Sequence, residues 1–190
     1  MDGKQTLNYN NTMVTTKSMN LPMWINQSTA NTNTVVEFGS MFFDKLRYTA
    51  SPNKIGIEIH QPYIDNSTFN HCKKISGDFR NFEELVEQSE MDCAMFIDTL
   101  EHITREEAFE LMGRVMEKFN RIILMIPEGN HPMDEDVTGH GGHEWQTHRS
   151  TWYAKDLIEL GFHEDNIILD PVFHSVPGRD TGCLFATWSK

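Results

Sequence analysis

The chain has 190 residues, 38% of them hydrophobic and 23% charged, the size and balance of one globular domain with a core of its own. The formal net charge is −12, and an acidic surface repels phosphate backbones, so bulk nucleic acid is not an expected partner. No apolar stretch approaches the ~20 residues that span a bilayer and no basic-then-apolar leader pattern opens the chain, so no membrane partner is expected and a cytoplasmic location is. Cys72, Cys93 and Cys183 are odd in number, far apart and set in apolar contexts, which reads as reduced thiols rather than a disulfide or zinc framework.

Residues 1–33 form an Asn/Thr-rich N-terminal arm, of which the first twenty read as loose or adaptable. The apolar patch Leu21-Pro22-Met23-Trp24-Ile25 is expected to dock on the body of the chain. From residue 34 to residue 190 strands and helices alternate. Val35-Val36-Glu37-Phe38 is a buried strand stopped by Gly39, and residues 41–49 suggest a short helix. Ile55 to Ile59 is a second strand, and Pro62 opens a helix. Cys72 to Ser76 is a third strand, followed by a short helix near residues 81–88. Cys93 to Ile97 has the continuous apolar character of a central parallel strand. Thr104 and Glu107 make a capping box for a helix with apolar residues at Ala108, Leu111, Met112, Val115, Met116 and Phe119. Arg121 to Ile126 is the fifth strand. Residues 128–149 are a long polar loop rich in Gly and His, of a length that is usually functional. A helix near 153–160 stops at Gly161, and strands from Asn166 and Gly182 follow, joined through Pro171 and Pro177-Gly178.

This order predicts an α/β fold: a Rossmann-like, doubly wound, mostly parallel seven-stranded sheet with an antiparallel last strand. Ligands bind such sheets beyond the carboxyl ends of the strands, where strand order reverses. Residues just past each strand therefore carry the functional expectation. Glu58 lies about 20 residues beyond the first strand's acid and glycine, the place from which a carboxylate holds ribose hydroxyls. Asp78 ends the third strand and Asp98 the fourth. The competing reading is that all three are solvated strand-terminal acids.

Val35-Val36-Glu37-Phe38-Gly39-Ser40 resembles the first motif of class I S-adenosylmethionine-dependent methyltransferases. Ile57-Glu58-Ile59 resembles their second motif, Ser76-Gly77-Asp78-Phe79 their third, and Phe96-Ile97-Asp98-Thr99-Leu100-Glu101-His102 their fourth. The resemblance covers about residues 34–190. It implies S-adenosylmethionine as cofactor, bound by Glu37, Gly39, Ser40, Glu58, Ile59, Asp78, Phe79 and Asp98. One departure stands out: Met41 and Phe43 replace two glycines of the first motif, whose missing Cβ atoms let the backbone approach the cofactor, and they are expected to narrow the pocket.

The resemblance extends to relatives that carry an E-x-x-E-H segment after the fourth strand and hold Mg²⁺ or another divalent metal there. Asp98-Thr99-Leu100-Glu101-His102 is similar, and a later His before a Trp completes the pattern, as His148 does with Trp152. The implied metal ligands are Glu101, His102 and His148. The alternative is that Glu101 and His102 only buttress the following helix. His143 and His148 are candidate bases, and the glycines around them suggest a mobile cover over the acceptor. The expected activity is methyl transfer to a small-molecule or terminal acceptor, with a homodimer as the simplest assembly. The rival is a non-catalytic binding or assembly protein that kept the fold and lost the chemistry.

Overall fold

The computed structural model describes residues 5–9, 12–133, 135, 136, 138–173 and 182–190. In chain order its elements are β1 (Gln5–Tyr9), β2 (Thr12–Thr16), α1 (Leu21–Ser28), β3 (Thr34–Phe38), β4 (Asn53–Glu58), α2 (Gln61–Asn66), β5 (Lys73–Ser76) and α3 (Phe82–Leu85). There follow β6 (Cys93–Ile97), α4 (Arg105–Lys118), β7 (Arg121–Pro127), α5 (His143–Gln146), α6 (Ala154–Glu159), β8 (Ile167–Asp170) and β9 (Cys183–Ser189). Short 3-10 turns, such as Asp44–Tyr48, link them.

The strands form one sheet in the order β1-β2-β8-β9-β7-β6-β3-β4-β5. All seven strands expected from the sequence are present, β3 to β7 mutually parallel and β9 antiparallel to both of its neighbours. The sheet has nine strands rather than seven because β1 and β2 add a hairpin at the edge. Thr15 and Thr16 of β2 pair in parallel with Ile168 and Leu169 of β8. The first turn of α1 is capped by Asn20, whose side chain accepts the Met23 N–H, with Pro22 inside. Its Trp24 meets Phe185 edge-on at 5.1 Å, so the Leu21–Ile25 patch docks on the chain's own core as expected. The Pro177-Gly178 connection lies outside the described residues.

Period-two alternation splits the strand side chains between two cores. Val36, Phe38, Ile55, Ile57, Ala94, Phe96, Ile122 and Leu124 face one way, against Phe82 of α3 and Ala108, Leu111, Met112 and Val115 of α4. Val35, Cys93, Met95, Ile97, Ile123 and Met125 face the other, against α1 and Leu46. Both faces are thus covered, which is why β6 reads as an unbroken apolar run. The Thr104–Glu107 capping box is formed, and it fixes where α4 begins. The three cysteines are free; Cys93 and Cys183 are buried and Cys72 is half-buried. No helix among the described residues is long and apolar enough to cross a membrane.

Candidate active site

From β3 the chain moves outward one way through β4 and β5, then returns to β6 on the opposite side of β3. The carboxyl ends of β3 and β6 are therefore the reversal point at which a crevice opens. A cavity of about 480 Å³ lies there, within the range of small-molecule sites. It is lined by Gly39, Glu58, Ile59, Asp78, Phe79, Asp98, Glu101, His102 and His148, nine of the residues expected from the sequence. Glu37, Ser40 and His143 do not line it.

Each of those three has a visible reason. Glu37 shares its side of β3 with Val35 and is 2% exposed. Ser40 is buried as well, its hydroxyl donating to the Glu37 carbonyl at 3.1 Å. His143 is exposed at the start of α5.

The turn after β3 keeps a glycine-loop backbone with little glycine in it. Gly39, Met41 and Phe43 have φ of 69°, 48° and 65°, a region that carries a penalty of about 1–2 kcal/mol for a residue with a side chain. A Cβ on Gly39 would stand 2.9 Å from Thr99 Cγ2, so at the reversal point only glycine fits. Met41 lines the cavity. Phe43 does not: its ring is fully buried over Gly56, where a Cβ would come within 2.4 Å of Phe43 Cδ1. The expectation that Phe43 restricts the pocket is corrected, because the bare backbone of Gly56 leaves room for the ring inside the core.

Glu58 closes β4 and is 5% exposed. Its two oxygens accept the N–H groups of Met41 at 2.7 Å and His60 at 2.8 Å, which ties the turn to the second strand. Burial nevertheless holds its pKa above the ordinary carboxylate value. Asp78 is held differently. Arg80 donates to both of its oxygens and also binds Glu107, the capping-box residue of α4. Despite partial burial, these hydrogen bonds keep the Asp78 carboxyl below its usual range. Sequence reasoning missed Arg80, although a guanidinium two residues beyond an acid is a recognisable pairing signal.

Glu101, His102 and His148 offer one ligand atom each within 4.8 Å of one another. Glu101 is 2% exposed, and neither of its oxygens, nor Nδ1 of His102, has a hydrogen-bond partner among the described residues. Burial, then the nearby Asp98, pushes the Glu101 carboxyl well up. Burial pushes both imidazoles the other way, His148 to about 4, so they are neutral at pH 7. A buried carboxylate with two neutral imidazoles and unmet polar atoms is a donor set that suits a divalent cation. The rings of His102 and His148 lie 5.0 Å apart, brought together because the Arg149 and Ser150 N–H groups donate to the Glu101 carbonyl.

The 128–149 loop closes over this cluster and docks on α2. Asp136 organises it by accepting the N–H groups of Gly139 at 2.9 Å and Gly141 at 2.7 Å. His60 Nε2 lies 3.0 Å from the His140 carbonyl, and the Tyr63 hydroxyl donates to that of Gly141. Tyr63, Met133, Trp145 and Gln146 thereby become cavity walls. No local pattern marked them.

A doubly wound sheet with an antiparallel β9 and a crevice at the β3–β6 reversal is the class I methyltransferase fold. No family model matches the sequence, and no curated protein matches it. Solved structures do. The N-terminal domain of EvdMO1, crystallised with S-adenosylhomocysteine and D-fucose, aligns with a TM-score of 0.54 at 12% identity, over 88% of this chain and 80% of that one. The small RNA methyltransferase HEN1 gives 0.54 at 15% identity, over 89% of this chain and 26% of that one. The mitomycin 7-O-methyltransferase MmcR gives 0.54 at 10% identity, over 90% and 53%. At such identities the likeness is one of fold.

Proposed function

We propose that this protein is an S-adenosylmethionine-dependent methyltransferase that modifies a hydroxyl of a small-molecule or terminal acceptor, with a divalent metal such as Mg²⁺ held by Glu101, His102 and His148. One observation carries the reading: strand-end acids of a methyltransferase fold and a Glu–His–His cluster, with unmatched atoms on Glu101 and His102, line the same cavity. The cofactor's methionine end would lie over Gly39 and Met41. Glu58 would take the ribose hydroxyls with the lone pairs left after its two backbone bonds. Phe79 and the Asp78–Arg80 pair would border the base. Methyl transfer needs the acceptor oxygen in line with the sulfonium carbon, so positioning is the main task of the site. A bound cation would supply Lewis acidity that eases loss of the acceptor's proton. With His148 engaged as a ligand, that proton would pass to solvent. The loop docked on α2 would exclude water from the reacting atoms.

The rival, a binding or assembly protein without chemistry, draws support from one observation: Met41 fills the place of a glycine in the cofactor turn. Calorimetric titration with S-adenosylmethionine and S-adenosylhomocysteine, with and without Mg²⁺, separates the two. Micromolar binding, about −8 kcal/mol, and its loss in Glu58→Ala are expected of the enzyme. No heat at millimolar ligand leaves the rival.

A further inference from the structure

Gln146 is the last residue of α5 and is 4% exposed, yet neither its amide oxygen nor its amide nitrogen has a hydrogen-bond partner among the described residues. It lines the cavity beside Glu101, His102 and His148. Buried amides are matched as a rule, and an unmatched one destabilises the fold. A buried glutamine that lines a cavity and has no partner among the described residues can be matched by a group that enters with the acceptor. We propose that Gln146 orients the methyl acceptor by donating a hydrogen bond to, and accepting one from, an uncharged hydroxyl-bearing group. This rests on the methyltransferase reading above.

The chemistry of the amide selects the class of acceptor. A hydroxyl both donates and accepts, so it can satisfy both ends of Gln146. A carboxylate or phosphate would use only the N–H and leave the Gln146 oxygen unmatched. An ammonium group would use only the oxygen. Met133 and Trp145, on the same loop, add apolar wall, which fits an acceptor with a compact apolar body and more than one hydroxyl. The hydroxyl held by Gln146 then places its neighbour at the Glu101–His102–His148 cluster.

The test uses Gln146→Leu and Gln146→Met, with catechol as neutral probe and benzoate as anionic probe, on protein saturated with S-adenosylhomocysteine and Mg²⁺. Wild type is expected to bind catechol in preference to benzoate. Both variants should lose about tenfold or more in catechol affinity while S-adenosylhomocysteine affinity is unchanged. The unliganded variants should also melt above wild type, because an unmatched amide has been removed. Catechol binding that is absent in wild type, or equal in wild type and variants, overturns the proposal, as does a failure of both variants to fold. Absence of S-adenosylhomocysteine binding overturns the methyltransferase reading and this inference together; normal cofactor binding with catechol indifferent to residue 146 overturns this inference alone.

Discussion

Two side chains on the turn after β3 occupy backbone positions that favour glycine, and they differ in consequence. Phe43 at φ 65° is offset by complete burial over Gly56. Met41 at φ 48° is only half-buried and faces the cavity. Met41→Gly therefore removes left-handed strain at the expense of a more flexible unfolded chain, two effects of about 1 kcal/mol each that nearly cancel. Urea unfolding should show stability within about 1 kcal/mol of wild type, and calorimetry should show tighter S-adenosylhomocysteine binding. Weaker binding would mean that Met41 contributes contact rather than obstruction. Glu37 makes a different prediction. Burial raises its pKa from 4.5 to about 8, so the native state holds this proton where the unfolded chain has released it. Its contribution is complete below pH 4.5 and is lost as pH rises to about 8. His148, lowered from 6.5 to about 4, gives the opposite slope, confined to the range below 6.5. Between pH 6.5 and 8 wild type should lose melting temperature and Glu37→Gln should lose less, as thermal scans at both pH values would show.

At the scale of elements, α4 and the α5 loop owe their positions to opposite causes. α4 is specified locally, by a capping box and a helical apolar stripe, and the same Glu107 that caps it also anchors Arg80 beside Asp78. α5 has only four residues, His143–Gln146, too few for a helix to hold by itself. Its position depends on the loop's contacts with α2, where His60 packs on Gly142. A Cβ at Gly142 would stand 2.9 Å from His60 Cδ2, on a backbone with φ 82°. Gly142→Ala should undock the loop, seen as faster amide exchange across residues 138–146, while S-adenosylhomocysteine affinity changes little because Glu58 and Gly39 are untouched. Unchanged exchange would show that the loop's place does not depend on α2.

Across the whole molecule, the hairpin of β1 and β2 and the cavity lie at different parts of the sheet. β8, β9 and β7 separate the hairpin from the β6–β3 crevice. Val14 of β2 is nonetheless 1% exposed and belongs to the core that α4 covers. Deleting residues 1–16 should lower the melting temperature by baring the edge of β8 and the pocket of Val14. Cofactor affinity should stay within about twofold, well under the 1.4 kcal/mol of a tenfold change. A large loss of affinity would mean that the hairpin shapes the site across the sheet.

Seven strands, the capped α4 and the acids at Glu58, Asp78 and Asp98 were legible because each depends on local signals: runs of apolar residues, a T-x-x-E box, and chain position relative to a strand end. The Glu101–His102 pair was legible for the same reason, being contiguous, and His148 joined it only through resemblance. What tertiary structure alone decided depends on contacts between distant segments. The β1–β2 hairpin reads as a polar arm because its strand character comes from pairing with β8. Phe43 reads as an obstruction because its accommodation by Gly56 is a contact between strand and turn. Gln146 has no periodic or motif signal, and its significance is an amide left unmatched after the 128–149 loop has folded onto α2. The sequence by itself determined the order of elements and the chemistry available at their ends; the fold decided which of those groups share one cavity, because burial and unmatched hydrogen bonds exist only once the segments are packed.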